Sequence, residues 1–237
     1  MNAKAKVATQ DQKIYEHIFD AILEQRLAPG TKLTEEGLGD VFGVSRTIIR
    51  RTLSRLTHEG VVELIPNRGA FVAKPDVNSA RQTLEARRLI ELALVERVAE
   101  RGAQLKRELK LLRLLIEEEH ASAARADSGT AIRLSGEFHL ELAQLAGNAP
   151  LANFLRSLVS QTSLIIAMYQ RSQQSNCAID EHSKLVDAIE REDKSLATHL
   201  MAEHLDHIEA RLDLMQGEQE ADLEKVFGHL RDKSRRA

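Results

Sequence analysis

The chain has 237 residues, 43% of them hydrophobic, with six Phe, two Tyr, no Trp and a formal net charge of −3. This composition allows a buried core and favours packed helices over a sandwich or barrel. The one cysteine, Cys177, excludes a disulfide framework and a cysteine-based zinc site, and a single thiol is typical of a reducing cytoplasm. We find no signal-peptide pattern and no apolar run long enough to span a bilayer, so we expect a cytoplasmic protein without membrane contact.

The first part of the chain is predicted to form a flexible arm and three short helices. Residues 1–10 are small and polar, which is typical of a disordered arm. Apolar residues recur at helical spacing in three segments that end at turn residues. These segments are 12–27, 34–42 and 46–58. An extended piece at 31–33 separates the first two helices, and Thr34 is expected to cap the second, with Leu38 and Val41 facing inward.

The turn between the second and third helices is the most informative stretch. Gly43 can adopt a positive φ, and the Ser45 hydroxyl can accept hydrogen bonds from the first turn of the next helix. Apolar side chains on the third helix recur at helical spacing and are expected to pack inward, and polar ones face outward. The outward residues are Arg46, Thr47, Arg50 and Arg51, and the predicted DNA-binding set also includes Ser45 and Arg55. A recognition helix presents such a face to DNA, although an ordinary basic surface helix has the same pattern.

A strand-like pattern follows and favours the DNA-binding interpretation. Residues 61–65 and 70–73 are predicted strands, joined by a turn with a basic tip. The tip residues expected to reach DNA are Asn67, Arg68 and Gly69. Residues 43–74 hold six basic and two acidic side chains, so a basic patch lies on a protein of negative net charge. The order of elements predicts a winged helix-turn-helix over residues 11–74.

The rest of the chain is predicted to be all-helical. Pro75 ends the last strand, so we place a linker at 75–79 and a bundle of six or seven helices at 80–216. The expected breaks lie near Gly102, Asp127–Gly129, Gly147–Pro150, Gln173–Asn176 and Arg191–Asp193. Residues 217–237 are highly charged and are predicted to form a tail or a terminal helix. The predicted fold class is therefore mainly α, an N-terminal winged helix-turn-helix followed by an all-α helical bundle.

Three helices of the bundle place a histidine on an inward face. His182 lies at the centre of an apolar face, His139 shares a face with Leu142, and His204 lies at the edge of the inner face of the last helix. One such histidine is commonly a hydrogen-bonded core residue. Three on separate helices predict a shared site, because neutral imidazole is a common ligand for zinc and similar metals.

The N-terminal motifs resemble those of GntR-family transcription regulators. The matching stretches are Leu27–Leu33, Gly43–Thr47, Glu59–Gly60 and Arg68–Val72. The resemblance implies that Arg46 or Arg50 reads a guanine of a palindromic operator, since an arginine fork fits O6 and N7 of that base. Ile48 and Arg51 depart from the family pattern, which often has Pro and Glu there.

The helical part resembles the FCD ligand-binding domain of the FadR subgroup. The motifs are Phe138-His139, Gly147-Asn148, Glu181-His182 and Met201–Leu205. The resemblance implies that His139, His182 and His204 bind a divalent metal together with an Asp, but this chain has Ser135 at the Asp position. We expect zinc or nickel because the shell is rich in histidine, with water, the effector or Glu137 completing it.

The first helix of the bundle carries two charged residues, Arg87 and Glu91, that match the R-x-x-L-E pattern of FCD domains, with Ile90 in the place of the Leu. Buried charges are costly unless paired. Either the two residues form a structural pair, or Arg87 binds an anionic ligand, since its fork suits a carboxylate and the family tends to sense small organic acids. Together with Ser135 they are the predicted effector-binding residues.

These features predict a homodimeric, effector-responsive transcription regulator, a repressor that binds a palindromic operator and is controlled by an organic acid. One alternative is a metal-dependent hydrolase that uses the three histidines, but it needs a general base. Glu181 points about 100° away from His182 on an ideal helix, so we do not expect an enzyme. The other alternative is a DNA-binding dimer with a vestigial pocket, which Ser135 keeps open.

Overall fold

The computed structural model describes residues 3–24, 26–170 and 179–214, and these residues form nine α-helices and a small antiparallel sheet. The helices are α1 (Ala3–Leu23), α2 (Glu35–Phe42), α3 (Arg46–His58), α4 (Val77–Ala99), α5 (Lys106–Ala124), α6 (Ser128–Leu145), α7 (Ala149–Tyr169), α8 (Ile179–Glu190) and α9 (Lys194–Ala210). The strands are β1 (Lys32–Leu33), β2 (Val62–Ile65) and β3 (Gly69–Val72). A helix-turn-helix and wing followed by a helical bundle confirm the predicted fold class.

Local capping sets the geometry of the helix-turn-helix. The Thr34 hydroxyl accepts a hydrogen bond from the Gly37 N–H at 3.2 Å and begins α2. Gly43 ends α2 with φ 62°, a conformation that favours glycine. Ser45 occupies the predicted N-cap position of α3, but its hydroxyl makes no capping hydrogen bond, contrary to the prediction. Only its carbonyl engages the helix, accepting from the Ile48 N–H at 3.0 Å.

The inward faces of α1, α2 and α3 form one core with the sheet. Ile49 and Leu56 of α3 are fully buried against Ile18 and Ile22 of α1. Val41 is 77% exposed, so the prediction that it faces inward is wrong. The inward side of the two-turn α2 is taken instead by Leu38 and Phe42, which lie four residues apart and pack against this core.

The wing is a three-stranded sheet with the order β1-β3-β2. Val62 pairs with Val72 and Ile65 with Gly69, so the turn between them projects beyond the sheet. Asn67 and Gly69 have φ values of 61° and 101°, which Asn and Gly tolerate best. The predicted basic tip is therefore present.

Several boundaries differ from the predicted ones. Helix α1 begins at Ala3, so residues 3–10 extend it where a flexible arm was expected; this segment has high helix propensity and contains no Gly or Pro. Helix α4 begins at Val77, because Asp76 caps it by accepting from the Ser79 N–H at 2.7 Å, so the linker ends earlier than predicted. Helix α9 ends at Ala210. The predicted break at 173–176 and the predicted tail at 217–237 lie outside the described residues.

Asx caps and one buried glycine organise the bundle. Asp127, Asn148 and Asp193 begin α6, α7 and α9, each accepting from the backbone N–H three residues on at 2.9–3.3 Å. A Cβ on Gly102 would lie 1.9 Å from the carbonyl oxygen of Ile189, so only glycine allows α8 to approach this closely. Because α8 carries His182, this contact also helps to position the histidine cluster.

Helix α7 runs through the interior of the molecule. By length and composition it could cross a membrane, so the expectation that no apolar run is long enough was too strict. Its apolar side chains are nevertheless part of the protein core: Leu155, Val159, Leu164 and Ile165 are all buried. Such burial is typical of the central helix of a bundle.

Candidate DNA-binding surface and metal centre

The predicted DNA-contacting residues form one exposed set on α3, the turn before it and the wing tip. Every one of them is exposed: Ser45, Arg46, Thr47, Arg50, Arg51, Arg55, Asn67, Arg68 and Gly69. Arg46 and Thr47 occupy the first turn of α3, and Arg50 follows one turn later. This arrangement presents the start of a basic helix and a basic wing on the molecular surface, as a major-groove reader requires.

Carboxylates of α2 hold two of these arginines, a feature that the sequence analysis missed. The Arg50 guanidinium donates from Nε and Nη2 to the two oxygens of Glu35, at 2.9 and 2.8 Å. Arg46 Nη2 donates to Glu36 at 2.8 Å. The hydrogen bond from Arg50 lowers the pKa of the Glu35 carboxyl. The acidic first turn of α2 was the sequence signal for this pairing.

The other two arginines of α3 connect it to α1. Arg51 forms an ion pair with Asp11. The Arg55 guanidinium donates to Gln12 at 2.7 Å and stacks over the Tyr15 ring, 3.5 Å from its centroid. Arg55 therefore braces the domain and also belongs to the predicted DNA-contacting set.

Histidine side chains from α6, α8 and α9 converge in the bundle core. His139, His182 and His204 are at most 2% exposed. The His204 Nε2 atom lies 3.1 Å from Nε2 of His139 and 3.4 Å from Nε2 of His182, and one nitrogen of each ring lies within 4.8 Å of the others. Two ligands about 2.0–2.1 Å from a tetrahedral zinc ion are about 3.3–3.4 Å apart, so this spacing fits a shared metal. The structure thus brings together the three histidines that the sequence predicts as ligands.

Each of these histidines is paired through Nδ1 with a glutamate. His139 Nδ1 contacts Glu91 of α4. His182 Nδ1 lies 3.0 Å from Glu119 of α5, and His204 Nδ1 lies 2.7 Å from Glu181 of α8. In the tautomer that places each ring proton on Nδ1, where a carboxylate can accept it, the Nε2 lone pairs are directed towards one another. Carboxylate–histidine pairs of this kind orient metal ligands in proteins, and the donor set therefore fits a divalent cation.

Burial favours the neutral, metal-binding form of His139 and His204. Desolvation lowers the pKa of His139 to about 4, against the opposing charge of Glu91. Desolvation lowers the pKa of His204 to about 3. Burial alone would raise the pKa of Glu91, but Arg87 and His139 outweigh it and hold that pKa below its usual range. His139 and His204 are therefore held as neutral imidazoles, and Glu91 stays ionised between Arg87 and His139.

A cavity of about 320 Å³ lies beside the histidine cluster, and His204 lines it. Most of its wall is apolar, from α5, α6, α7 and α9. The charged or polar lining residues are Arg87, Glu119, Ser135, Ser163, Gln170, His204 and Arg211. Of the predicted effector-binding residues, Arg87 and Ser135 line the cavity, whereas Glu91 faces Arg87 and His139. The structure is compatible with both hypotheses for Arg87, the structural pair and the binding of an anionic ligand. Arg87 pairs with Glu91 and also lines the cavity.

Arg211 is a cavity residue that the sequence analysis missed. Its Nη2 atom is buried and has no hydrogen-bond partner, and it lies 3.9 Å from Glu181. A buried guanidinium nitrogen without a hydrogen bond is uncommon, which indicates a place for an anionic ligand. The signal in the sequence was its spacing, since Arg211 lies seven residues, or two helical turns, after His204.

The geometry does not favour the hydrolase alternative. Both oxygens of Glu181 are engaged, one with His204 Nδ1 and the other with His207 Nδ1, each at 2.7 Å. A carboxylate held in this way orients imidazole rings and is not available as a general base. Glu137, considered as a further ligand, lies among Glu141, Arg133 and Arg156, where burial raises its pKa.

Comparisons with known proteins agree with this architecture. The family model described as "Bacterial regulatory proteins, gntR family" matches residues 10–72, and the "FCD domain" model matches residues 82–207. The Nta operon transcriptional regulator of Aminobacter aminovorans is 26% identical over 191 residues, covering 80% of this chain and 88% of that protein. The HTH-type transcriptional repressor RspR of Escherichia coli K12 is 25% identical over 204 residues, covering 84% and 86%.

Solved structures show the same fold. E. coli McbR/YncC superposes with a TM-score of 0.74 at 19% identity, covering 85% of this chain and 95% of that one. A GntR transcriptional regulator from Rhodococcus sp. RHA1 gives 0.73 at 21% identity, covering 85% and 96%. The two family models together span the winged helix-turn-helix and most of the bundle. The chain therefore belongs to the GntR family of DNA-binding bacterial transcription regulators and carries an FCD domain.

Proposed function

We propose that this regulator binds a palindromic operator as a cytoplasmic homodimer, and that a small organic acid bound beside a divalent metal controls the binding. The observation that carries the proposal is the cavity that His204 and Arg211 both line, where the Arg211 Nη2 atom is buried without a hydrogen bond. The relative RspR is named a repressor, and we propose the same sign of regulation here. On α5, Leu111 and Leu114 are exposed on one face, and we propose this face for contact with the second protomer.

The metal would be held by three histidine nitrogens. Their Nε2 atoms converge, and three glutamates fix the ring orientations. Zinc and nickel both accept imidazole ligands, and at least one coordination position would remain open because Ser135 replaces the usual Asp. We propose that water or the effector completes the coordination. When bound, the ion would supply a Lewis-acidic contact for an oxygen ligand.

The effector would be a small carboxylate with an apolar body. Arg87 and Arg211 both line the cavity and carry positive charge, and an arginine fork matches a carboxylate. Ile132, Val159 and Ile208 give the remaining wall its apolar character. A volume of about 320 Å³ suits a small metabolite.

Helix α7 connects this cavity to the DNA-binding domain. Val159, Ser163 and Ile166 lie at positions i, i+4 and i+7 and line the cavity. Ser157, Gln161 and Leu164 repeat that spacing two residues earlier, about 200° round the helix, and meet the DNA-binding domain. One rigid helix therefore has the ligand on one side and the DNA-binding domain on the opposite side.

The contact of α7 lies at the C-terminal end of the recognition helix. The Ser157 hydroxyl donates to the carbonyl oxygen of Glu59, the C-cap of α3, at 2.9 Å. A Cβ on Gly60 would lie 2.6 Å from the Gln161 side chain. Leu164 is a member of the core that otherwise belongs to the DNA-binding domain. We propose that a shift of α7 on effector binding reorients α3 and changes the spacing of the two recognition helices in the dimer.

Arg46→Ala and Arg50→Ala are each expected to weaken operator binding about tenfold or more, because a bidentate arginine–guanine contact contributes about 1–3 kcal/mol. The operator is obtained by selecting wild-type binders from a random duplex library, and affinity is measured by fluorescence anisotropy at fixed salt. Titration at high concentration should give two chains per duplex. Arg26→Ala, which removes an exposed arginine outside α3, is the control. Unchanged affinity in both α3 variants would refute base reading by these arginines.

Metal loading is expected to place one zinc or nickel ion on each chain. Elemental analysis after loading and desalting should give a stoichiometry near one for the wild type and well below one for His182→Ala. His199→Ala, which removes an exposed histidine of α9, should behave as the wild type. A metal-free wild type after loading would show that the cluster is only a hydrogen-bonded core.

Organic acids are expected to raise the thermal stability of the metal-loaded protein. A ligand at 100 times its dissociation constant adds about 2.7 kcal/mol to the free energy of unfolding. Arg211→Gln should abolish the response, whereas Arg107→Gln, an exposed arginine of α5, should retain it. Arg211 is preferred to Arg87 as the test because loss of Arg87 leaves Glu91 buried without its cation. A panel of acids without any response would favour the vestigial pocket.

Coupling through α7 is expected to depend on Leu164. In Leu164→Ala the acid found in the thermal screen should bind with unchanged affinity but alter operator affinity less than in the wild type. Ser157→Ala tests the same contact with a smaller packing change, and Phe154→Ala, an exposed residue of the same helix, is the control. A full effector response in both Leu164→Ala and Ser157→Ala would rule out this route.

A further inference from the structure

The two arginines proposed to read bases are held by acidic residues of the neighbouring helix. Glu35 and Glu36 are consecutive residues in the first turn of α2. Glu35 accepts both hydrogen bonds of a fork from Arg50, at 2.9 and 2.8 Å, and Glu36 accepts one from Arg46 at 2.8 Å. All four side chains belong to the helix-turn-helix, and both arginines are well exposed.

The helix dipole explains only part of this arrangement. Acidic residues are favourable in the first turn of any helix because they face its positive end. That effect requires neither carboxylate to contact α3. Here two successive side chains both turn towards the neighbouring helix and meet arginines that are one turn apart, Arg46 and Arg50. The pairing therefore links the acidic turn to the surface that meets DNA.

We propose that Glu35 and Glu36 determine DNA specificity by restraining Arg50 and Arg46, so that they weaken binding to unrelated DNA more than binding to the operator. The inference rests on the proposal that these arginines contact bases. It adds two acidic residues to a site that the sequence describes only by its basic and polar ones.

On unrelated DNA, the arginines gain little binding free energy when they leave their carboxylates for phosphates. Non-specific binding depends on protein cations that replace the counterions at backbone phosphates. An arginine that already has a carboxylate partner exchanges one anion for another. The first helix of a helix-turn-helix also crosses the backbone, so the carboxylates of Glu35 and Glu36 would lie near phosphates and repel them.

On the operator, the same glutamate–arginine pairs orient the arginines for contact with bases. Glu35 holds the Nε and Nη2 side of Arg50, which leaves Nη1 free to donate to a guanine. The side chain is then already oriented, so less conformational entropy is lost on binding. Arg46 is held through one nitrogen only, which leaves most of its donors available. Contacts with O6 and N7 of guanine increase the affinity for the correct sequence only, whereas phosphate contacts do not distinguish sequences.

The experiment compares Glu35→Gln and Glu36→Gln with the wild type on two duplexes, the selected operator and a scrambled duplex of the same length and composition. Glutamine preserves the shape and removes the charge. Asp40→Asn is the matched control, because it removes one exposed acidic charge from the same helix and no arginine pair is seen at Asp40. Affinities are measured by anisotropy at several salt concentrations.

Each glutamine variant is expected to bind the scrambled duplex about two- to fivefold more tightly, in line with the modest strength of exposed ion pairs. Operator affinity should rise less or fall, so the ratio of the two affinities decreases. Asp40→Asn should leave that ratio unchanged. The inference is overturned if the glutamine variants also leave the ratio unchanged while Arg50→Ala loses operator binding. If Arg50→Ala binds the operator normally, base reading itself fails.

Discussion

Three histidine–glutamate pairs in the bundle core are the constraint on which the helical domain depends. The pairs of His139 and His182 remove a carboxylate and an imidazole from water, which is costly unless their hydrogen bonds are satisfied, and Glu181 of the third pair is partly exposed. His139, His182 and His204 come from three helices, and two of their glutamates come from α4 and α5, so the pairs join five helices at one point. The same pairing turns every Nε2 atom towards the centre. A stabilising network of this kind is therefore also a prepared ligand set for a cation.

The cavity beside this centre lies on one side of α7, and the DNA-binding domain lies on the other. Helix α7 separates the cavity from the DNA-binding domain and contacts both, with Ser163 on one side and Leu164 on the other. Because a packed helix moves as a unit, a ligand that displaces the cavity side of α7 must also disturb the contact at Glu59. In that domain, the Glu35 carboxylate pairs with Arg50 on the exposed side of α3.

Local signals accounted for most of the secondary structure. Apolar periodicity located the helices, and capping residues such as Thr34 and Asn148 began them where expected. Errors occurred where local signals were weak or tertiary contacts overrode them. Val41 has helical spacing but lies outside the contact area of a two-turn helix, and α9 ends before its predicted end as Leu212 forms a β-bridge with Gln170.

The sequence by itself determined the winged helix-turn-helix, the helical bundle and the three inward histidines, because periodicity and turn chemistry act over a few residues. Only the tertiary structure decided which groups meet. The glutamate behind each histidine and the carboxylates that hold Arg46 and Arg50 lie 10 to 63 positions from their partners. The burial of the Arg211 Nη2 atom without a hydrogen bond likewise arises only when the helices pack. No local pattern specifies such encounters, since they depend on how whole helices cross and which faces they bury.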